Sequence, residues 1–194
     1  MPDTDNHFVA QAVHDLGSAL WFGGTVMGAA GVNKSGNQLT QGIDRIRVAS
    51  SAWGRFAPAQ WAGIGATLLA GLRLTQVGGR RVALQKGFGT VGALKAGFAV
   101  AGAGASGYAA YCGARISALA EEAAQRGTPV EVKDATLPTP ATPPEIARWQ
   151  QRQRLTQALV PALAGANIVC NSWLVQSYRT GATLKGVVRR LLPG

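Results

Sequence analysis

The segment Ala96–Ala114, AGFAVAGAGASGYAAYCGA, carries no charge on any helical face. A helix that packs on one side and meets water on the other keeps a polar stripe, and this one has none, so it suits lipid or packed neighbours. A bilayer core about 30 Å thick takes roughly 20 residues of helix, with a range of about 17 to 25. Three further stretches of that order are also uncharged, Leu16–Asn33, Phe56–Leu72 and Leu155–Tyr178. Together the four predict an all-α protein, an integral membrane four-helix bundle with one long extramembrane loop. The expected helices span about 9–32, 57–77, 88–113 and 155–178, and the polar loop 114–154; residues 1–194 form a single domain, multi-pass in the cell membrane.

Composition pulls two ways. Hydrophobic residues make up 47% of the chain and charged residues only 14%, while mean hydropathy is +0.09, low for a membrane protein. Twenty-six glycines and the polar loop dilute that average. A soluble helical bundle of this length is the competing reading, and it requires polar helix faces. The net charge of +10 arises from Lys and Arg spread through every loop rather than massed on one element. Basic residues at helix ends are what membrane helices carry, so the expected partners are membrane lipids with anionic head groups, and nucleic acid is not expected. Met1–His7 holds Asp3 and Asp5 without Lys or Arg, so the first stretch reads as a retained helix rather than a secretory signal. Cys112 and Cys170 fall at depths about 22 Å apart on neighbouring helices and should be unbridged.

The connections set the packing. Gly78–Gly87 is a short turn that makes helices 2 and 3 antiparallel neighbours. Ile43–Arg55 has the character of a short amphipathic helix at the interface, with Trp53 and Trp61 near head-group level. In the long loop, Ala114–Arg126 extends helix 3 into water, Leu137–Pro144 (LPTPATPP) is a stiff extended connector, and Glu145–Arg154 starts a new helix. Thr142 is placed as its N-cap, with Pro143 at the first helical position and Glu145 in capping-box spacing. The acid-free turn with Arg80, Arg81 and Lys86 directs both termini to the cytoplasmic side.

Ionisable residues within the expected spans are few: His14 and Asp15 in helix 1 and Lys95 in helix 3. Counted from helix ends on one membrane face, Asp15, Lys95 and Asn171 of helix 4 all lie about 10 Å deep. The sequence thus predicts an intramembrane polar cluster of His14, Asp15, Lys95 and Asn171. Its bland reading is an ion pair that locks helix 1 to helix 3; its functional reading is a proton relay or a site for a polar head group; a third is that Lys95 snorkels. No catalytic or metal constellation and no cofactor motif accompanies it. Haem clamped by two histidines is excluded within a monomer, because the chain has only His7 and His14, seven residues apart. Small residues recur at four-residue spacing, at Gly24–Gly28, Ala93–Gly97–Ala101–Ala105 and Ala158–Ala162–Ala166. Such spacing lets helices approach closely, so Gly24, Gly28, Gly97 and Ala101 are the expected helix-packing residues. Pro161 should bend helix 4.

The run His14-Asp15-Leu16-Gly17, followed by Leu20-Trp21-Phe22-Gly23-Gly24, resembles the opening helix of small multi-pass membrane proteins of actinobacteria. The likeness extends to the Arg80–Gly87 turn, to Lys95-Ala96 and to the Arg152–Pro161 entry of helix 4. It implies a bacterial four-helix topology and no particular activity. More loosely, the His-to-Trp-Gly-Gly helix is similar to that of copper-resistance-type four-helix membrane proteins, but the chain lacks their Met- or His-rich tracts. The first functional expectation is therefore an accessory or interaction component of a membrane assembly, partnered by a membrane protein or a second copy, with no catalysis evident. The alternative is a small transporter or lipid-binding protein that uses the polar cluster, which demands a cavity at that depth. A redox membrane enzyme is a third class and predicts a coloured protein.

Overall fold

A computed structural model describes residues 4–77 and 87–191, with side chains for 8–76 and 87–177. Four long helices account for most of it: α1 (Thr4–Met27), α2 (Gly42–Val77), α3 (Phe88–Gln125) and α4 (Pro144–Leu191). After Met27 the chain passes through a wide π-helical stretch, Gly28–Val32, and two single turns before α2. The expected Gly78–Gly87 turn lies outside the described residues except for Gly87, which has φ +83° and precedes α3.

Two boundaries differ from the sequence reading. Ile43–Arg55 is not a separate interface helix; it is the first part of α2, which runs unbroken through Pro58. A proline there removes one hydrogen bond, to the carbonyl of Gly54 four residues back, and a Cβ added at Gly54 would meet nothing within 4 Å. Likewise Glu145–Arg154 and the fourth span are one helix that continues through Pro161. Thr142 does not cap it. Its Oγ1 accepts from the Thr139 N–H at 2.7 Å and donates to the Glu131 carbonyl, so it ties down the loop instead.

Packing joins α1 to α2 and α3 to α4, and then pair to pair. Gly17 meets Gly63 while Gly24 meets Phe56, so α1 and α2 run antiparallel. Lys95 meets Asn171 while Gly113 faces Gln153, so α3 and α4 do too. Two cores result. Trp21, Ile64, Val160 and Ala164 form one at mid-length, where all four helices meet. Ile46, Ile116, Ala120, Val130, Val132 and Ile146 form the other, built from the start of α2, the end of α3, the loop and the start of α4.

That second core draws in the loop residues that precede the proline-rich connector. Val132 is fully buried and Val130 nearly so. Arg45 donates from Nη1 to the Val132 carbonyl at 2.6 Å and from Nη2 to the Leu39 carbonyl at 2.8 Å. Gln150 donates to the carbonyls of Asp134 and Ala135, each at 3.2 Å. A Cβ at Gly42 would sit 1.9 Å from the Val130 carbonyl oxygen, so only glycine lets the loop come so close. The 137–144 segment folds back on the same layer: Thr139 and Thr142 both donate to the Glu131 carbonyl, and Pro138 pairs in a bridge with Val132.

On the outer side of this layer Arg47 donates to both oxygens of Glu121, at 2.7 and 2.8 Å. The Arg47 hydrogen bonds hold the Glu121 carboxyl below its ordinary value of 4.5. A depressed folded-state pKa means that the pair stabilises the fold above the ordinary carboxylate range and ceases to as pH falls through the lowered value. Glu121→Gln should therefore lower thermal stability slightly at neutral pH and low salt. The gap from the parent should close on acidification and at high ionic strength. Melting curves across pH check this, and a gap that widens in acid would refute it.

Candidate polar site

The four polar residues singled out from the sequence come together where α1, α3 and α4 meet. Lys95 Nζ donates to Asn171 Oδ1 at 2.7 Å, and Asn171 Nδ2 donates to Asp15 Oδ1 at 2.8 Å. His14 Nδ1 lies 3.2 Å from the same carboxylate oxygen. Asp15 and Lys95 are thus joined through the Asn171 amide rather than as the direct ion pair expected. Asn171 suits that place because an amide offers an acceptor to the ammonium and a donor to the carboxylate at once.

Further residues complete the site. Gln11 donates to Asp15 Oδ1 at 2.8 Å, one turn back on α1. Deeper in the bundle Ser18 Oγ pairs with Thr67 Oγ1 at 3.2 Å and receives the Asn167 amide at 3.4 Å. Gln11, His14, Asp15 and Ser18 recur at three- and four-residue spacing and so share a face of α1, a pattern that could have disclosed Gln11 and Ser18. Thr67 and Asn167 have no such signal, since their roles depend on which helices meet.

Burial and hydrogen bonding are uneven across this arrangement. His14 is 1% exposed and Lys95 9%, whereas the Asp15 side chain is 54% exposed. With its Nδ1–H donating to Asp15, His14 presents Nε2 as an acceptor, and that atom has no hydrogen-bond partner among the described residues. A buried polar atom without a partner costs about 1–3 kcal/mol. The Nε2 edge of the ring faces Gly71 on α2, whereas an open cavity of about 310 Å³ lies between α1 and α4, lined by His14, Asp15, Ser18 and Asn171.

The expected packing residues divide. A Cβ at Gly24 would strike the Phe56 ring at 2.1 Å, and one at Gly28 the Trp53 ring at the same distance. Gly97 and Ala101 are exposed, and nothing lies within 4 Å of a Cβ on Gly97. The buried stripe of α3 instead runs through Lys95, Ala99, Gly102 and Ser106. Register explains this: turning Lys95 to Asn171 and Ser106 to Trp21 carries Ala93, Gly97 and Ala101 to the outside. Between helices, Gly17 of α1 packs on Gly63 of α2, where a hypothetical Cβ would lie only 2.7 Å from a carbonyl oxygen.

Comparison with protein-family models, curated proteins and solved structures finds no match to this chain. Among the described residues two helices, α3 and α4, are long and apolar enough to cross a membrane, with windows of mean hydropathy 1.2 and 1.5.

Proposed function

We propose that this chain is a four-helix integral membrane protein that binds a polar head group of no net charge, as a lipid-binding protein or small transporter, through His14, Asp15, Lys95 and Asn171. Membrane insertion is supported by how little of the two apolar windows is buried, 17% in α3 and 28% in α4, where the core helix of a soluble protein would be mostly covered. Large apolar side chains face outward on every helix, among them Leu16, Leu69, Val100 and Val169. A slab bounded by Asp15, Arg73 and Lys95 on one side and by Lys34, Arg55, Arg115 and Arg154 on the other encloses no charged residue. Its 17 to 19 residues on the first three helices span about 26–28 Å of helix, close to a bilayer core. The acid-free basic residues Arg80, Arg81 and Lys86 in the sequence argue for cytoplasmic termini.

This slab puts the cluster at its edge, level with lipid head groups, rather than deep inside. The observation that carries the reading is the half-exposed Asp15 carboxylate, hydrogen-bonded to Asn171 on the wall of an open cavity of about 310 Å³ between α1 and α4. A lock between helices needs no such space. One cation and one carboxylate suit a zwitterionic or uncharged polar group. The accessory reading draws on another observation, the outward stripe of Ala93, Gly97 and Ala101 on α3, which would let a second transmembrane helix approach.

Purification in mild detergent followed by mass spectrometry of bound lipids, small molecules and proteins tests both. The parent should retain one enriched polar species, and Asp15→Asn should reduce its content about tenfold or more through loss of a charged hydrogen bond. Equal content in a folded Asp15→Asn protein would defeat the proposal. A stoichiometric partner protein with no enriched ligand would give the accessory role instead.

A further inference from the structure

A second cavity, of about 250 Å³, lies between α2, α3 and α4 next to the loop layer, at the opposite edge of the slab from the polar cluster. No Lys, Arg, Asp, Glu or His lines it. Three side-chain amides in its wall have atoms that are buried and lack a partner: Asn33 Nδ2, Gln153 Oε1 and Gln157 Nε2. Asn33 is 2% exposed and Gln153 8%. The Asn33 amide has a defined orientation, because Trp53 Nε1 donates to its Oδ1 at 2.8 Å and an indole N–H can only donate. Its Nδ2 is therefore a free donor. Pro161, also in the wall, cannot donate to the backbone carbonyl of Gln157, which leaves a further acceptor on the same turn.

The same wall holds apolar Trp61, Ala109, Val160 and Pro161 beside uncharged polar groups such as Gln60 and Ser106. Buried amides together with these apolar surfaces describe a site for a molecule with polar groups and an apolar body. Absence of any charge excludes an ionic head. By proportion to the engineered cavity of about 150 Å³ that takes benzene, the enclosed part of the guest has about ten non-hydrogen atoms.

We propose that this cavity binds an uncharged membrane amphiphile whose hydroxyl and carbonyl groups meet Asn33, Gln153 and Gln157 and whose chain leaves past Trp61 into the bilayer. The site shares no residue with the polar cluster and rests only on the membrane-spanning reading. Its occupant is a neutral glyceride or similar hydroxyl-bearing lipid, since that chemistry supplies both the donor that Gln153 Oε1 needs and the acceptors that Asn33 and Gln157 need.

The test uses the full chain in nanodiscs with a monoacylglycerol that carries a photoreactive diazirine in its acyl chain. Saturable crosslinks are expected on α2 near Trp61 and on α3 near Ala109, competed by unlabelled monoacylglycerol and not by phosphatidic acid. Ala109→Phe, which fills the cavity, and Gln153→Leu/Gln157→Leu, which removes two head-group partners, should each cut labelling at least tenfold. Asp15→Asn should leave it unchanged, which separates this site from the cluster. The variants are compared only as folded, monodisperse protein. If one is not, the competition profile of the parent decides. Labelling that does not saturate, equal competition by phosphatidic acid, or an experimental structure showing only water on the three amides would overturn the proposal.

Discussion

Trp21→Ala should be the most destabilising single truncation in the bundle, lowering stability by about 3–5 kcal/mol, the usual cost of a wholly buried Trp. Trp21 is 0% exposed and sits where all four helices converge. Its ring lies on Gly102, where an added Cβ would be 2.7 Å away, and its Nε1 donates to Ser106 Oγ at 3.1 Å. Ile64, Val160 and Ala164 close the cluster around it. In the proposed bilayer setting the gain from such contacts would be dispersion and hydrogen bonding, because the exposed alternative would already be apolar. A void at that point therefore loses partner atoms on four helices at once. Thermal unfolding in detergent should show a midpoint lowered on the order of 10 °C. Trp21→Phe should cost less than half as much, since Ser106 keeps its bond to the Gly102 carbonyl at 2.9 Å. A Trp21→Ala midpoint within about 2 °C of the parent would show that this cluster does not hold the helices together.

Some of this was readable from residue order and some was not. The four helices follow from uncharged stretches, and the depth argument brought Asp15, Lys95 and Asn171 to one level because helical rise is constant. What the sequence concealed is rotation. Depth says how far along a helix a residue lies, and only contacts say which way it faces, so four-residue spacing marks Gly97 and Ala101 as packing residues without telling that they lie outward while Gly102 and Ser106 hold the inner face. The core within the loop is hidden for a related reason. Its Val130 and Val132 are too few to announce a core, and they become one only when Ile46, Ile116 and Ile146 arrive from three helices. The neutral cavity was equally hidden, since Asn33, Gln153 and Gln157 form no motif and are joined only by packing.

Asn171→Leu should be nearly as damaging as the loss of Trp21, and for a different reason. The substitution keeps the bulk but removes the acceptor of the Lys95 ammonium at 2.7 Å and the donor to Asp15 at 2.8 Å. Lys95 is 9% exposed, so its charge is left buried without its hydrogen-bonding partner, a change that costs about 3–5 kcal/mol where it has been measured in buried pairs. Adding Lys95→Met takes the charge away as well. The double variant Lys95→Met/Asn171→Leu should then recover most of the loss, because replacing both members of a buried polar pair by apolar groups is often near neutral. That rescue separates structure from function. If the cluster served only to lock helices, the double variant would match the parent in every respect. If it holds a ligand, the double variant should regain its melting temperature and still purify without the enriched polar species. Midpoint and ligand content, read on the same three proteins, give the answer: recovery of both would reduce the cluster to a structural lock, and recovery of stability alone would establish it as a binding site.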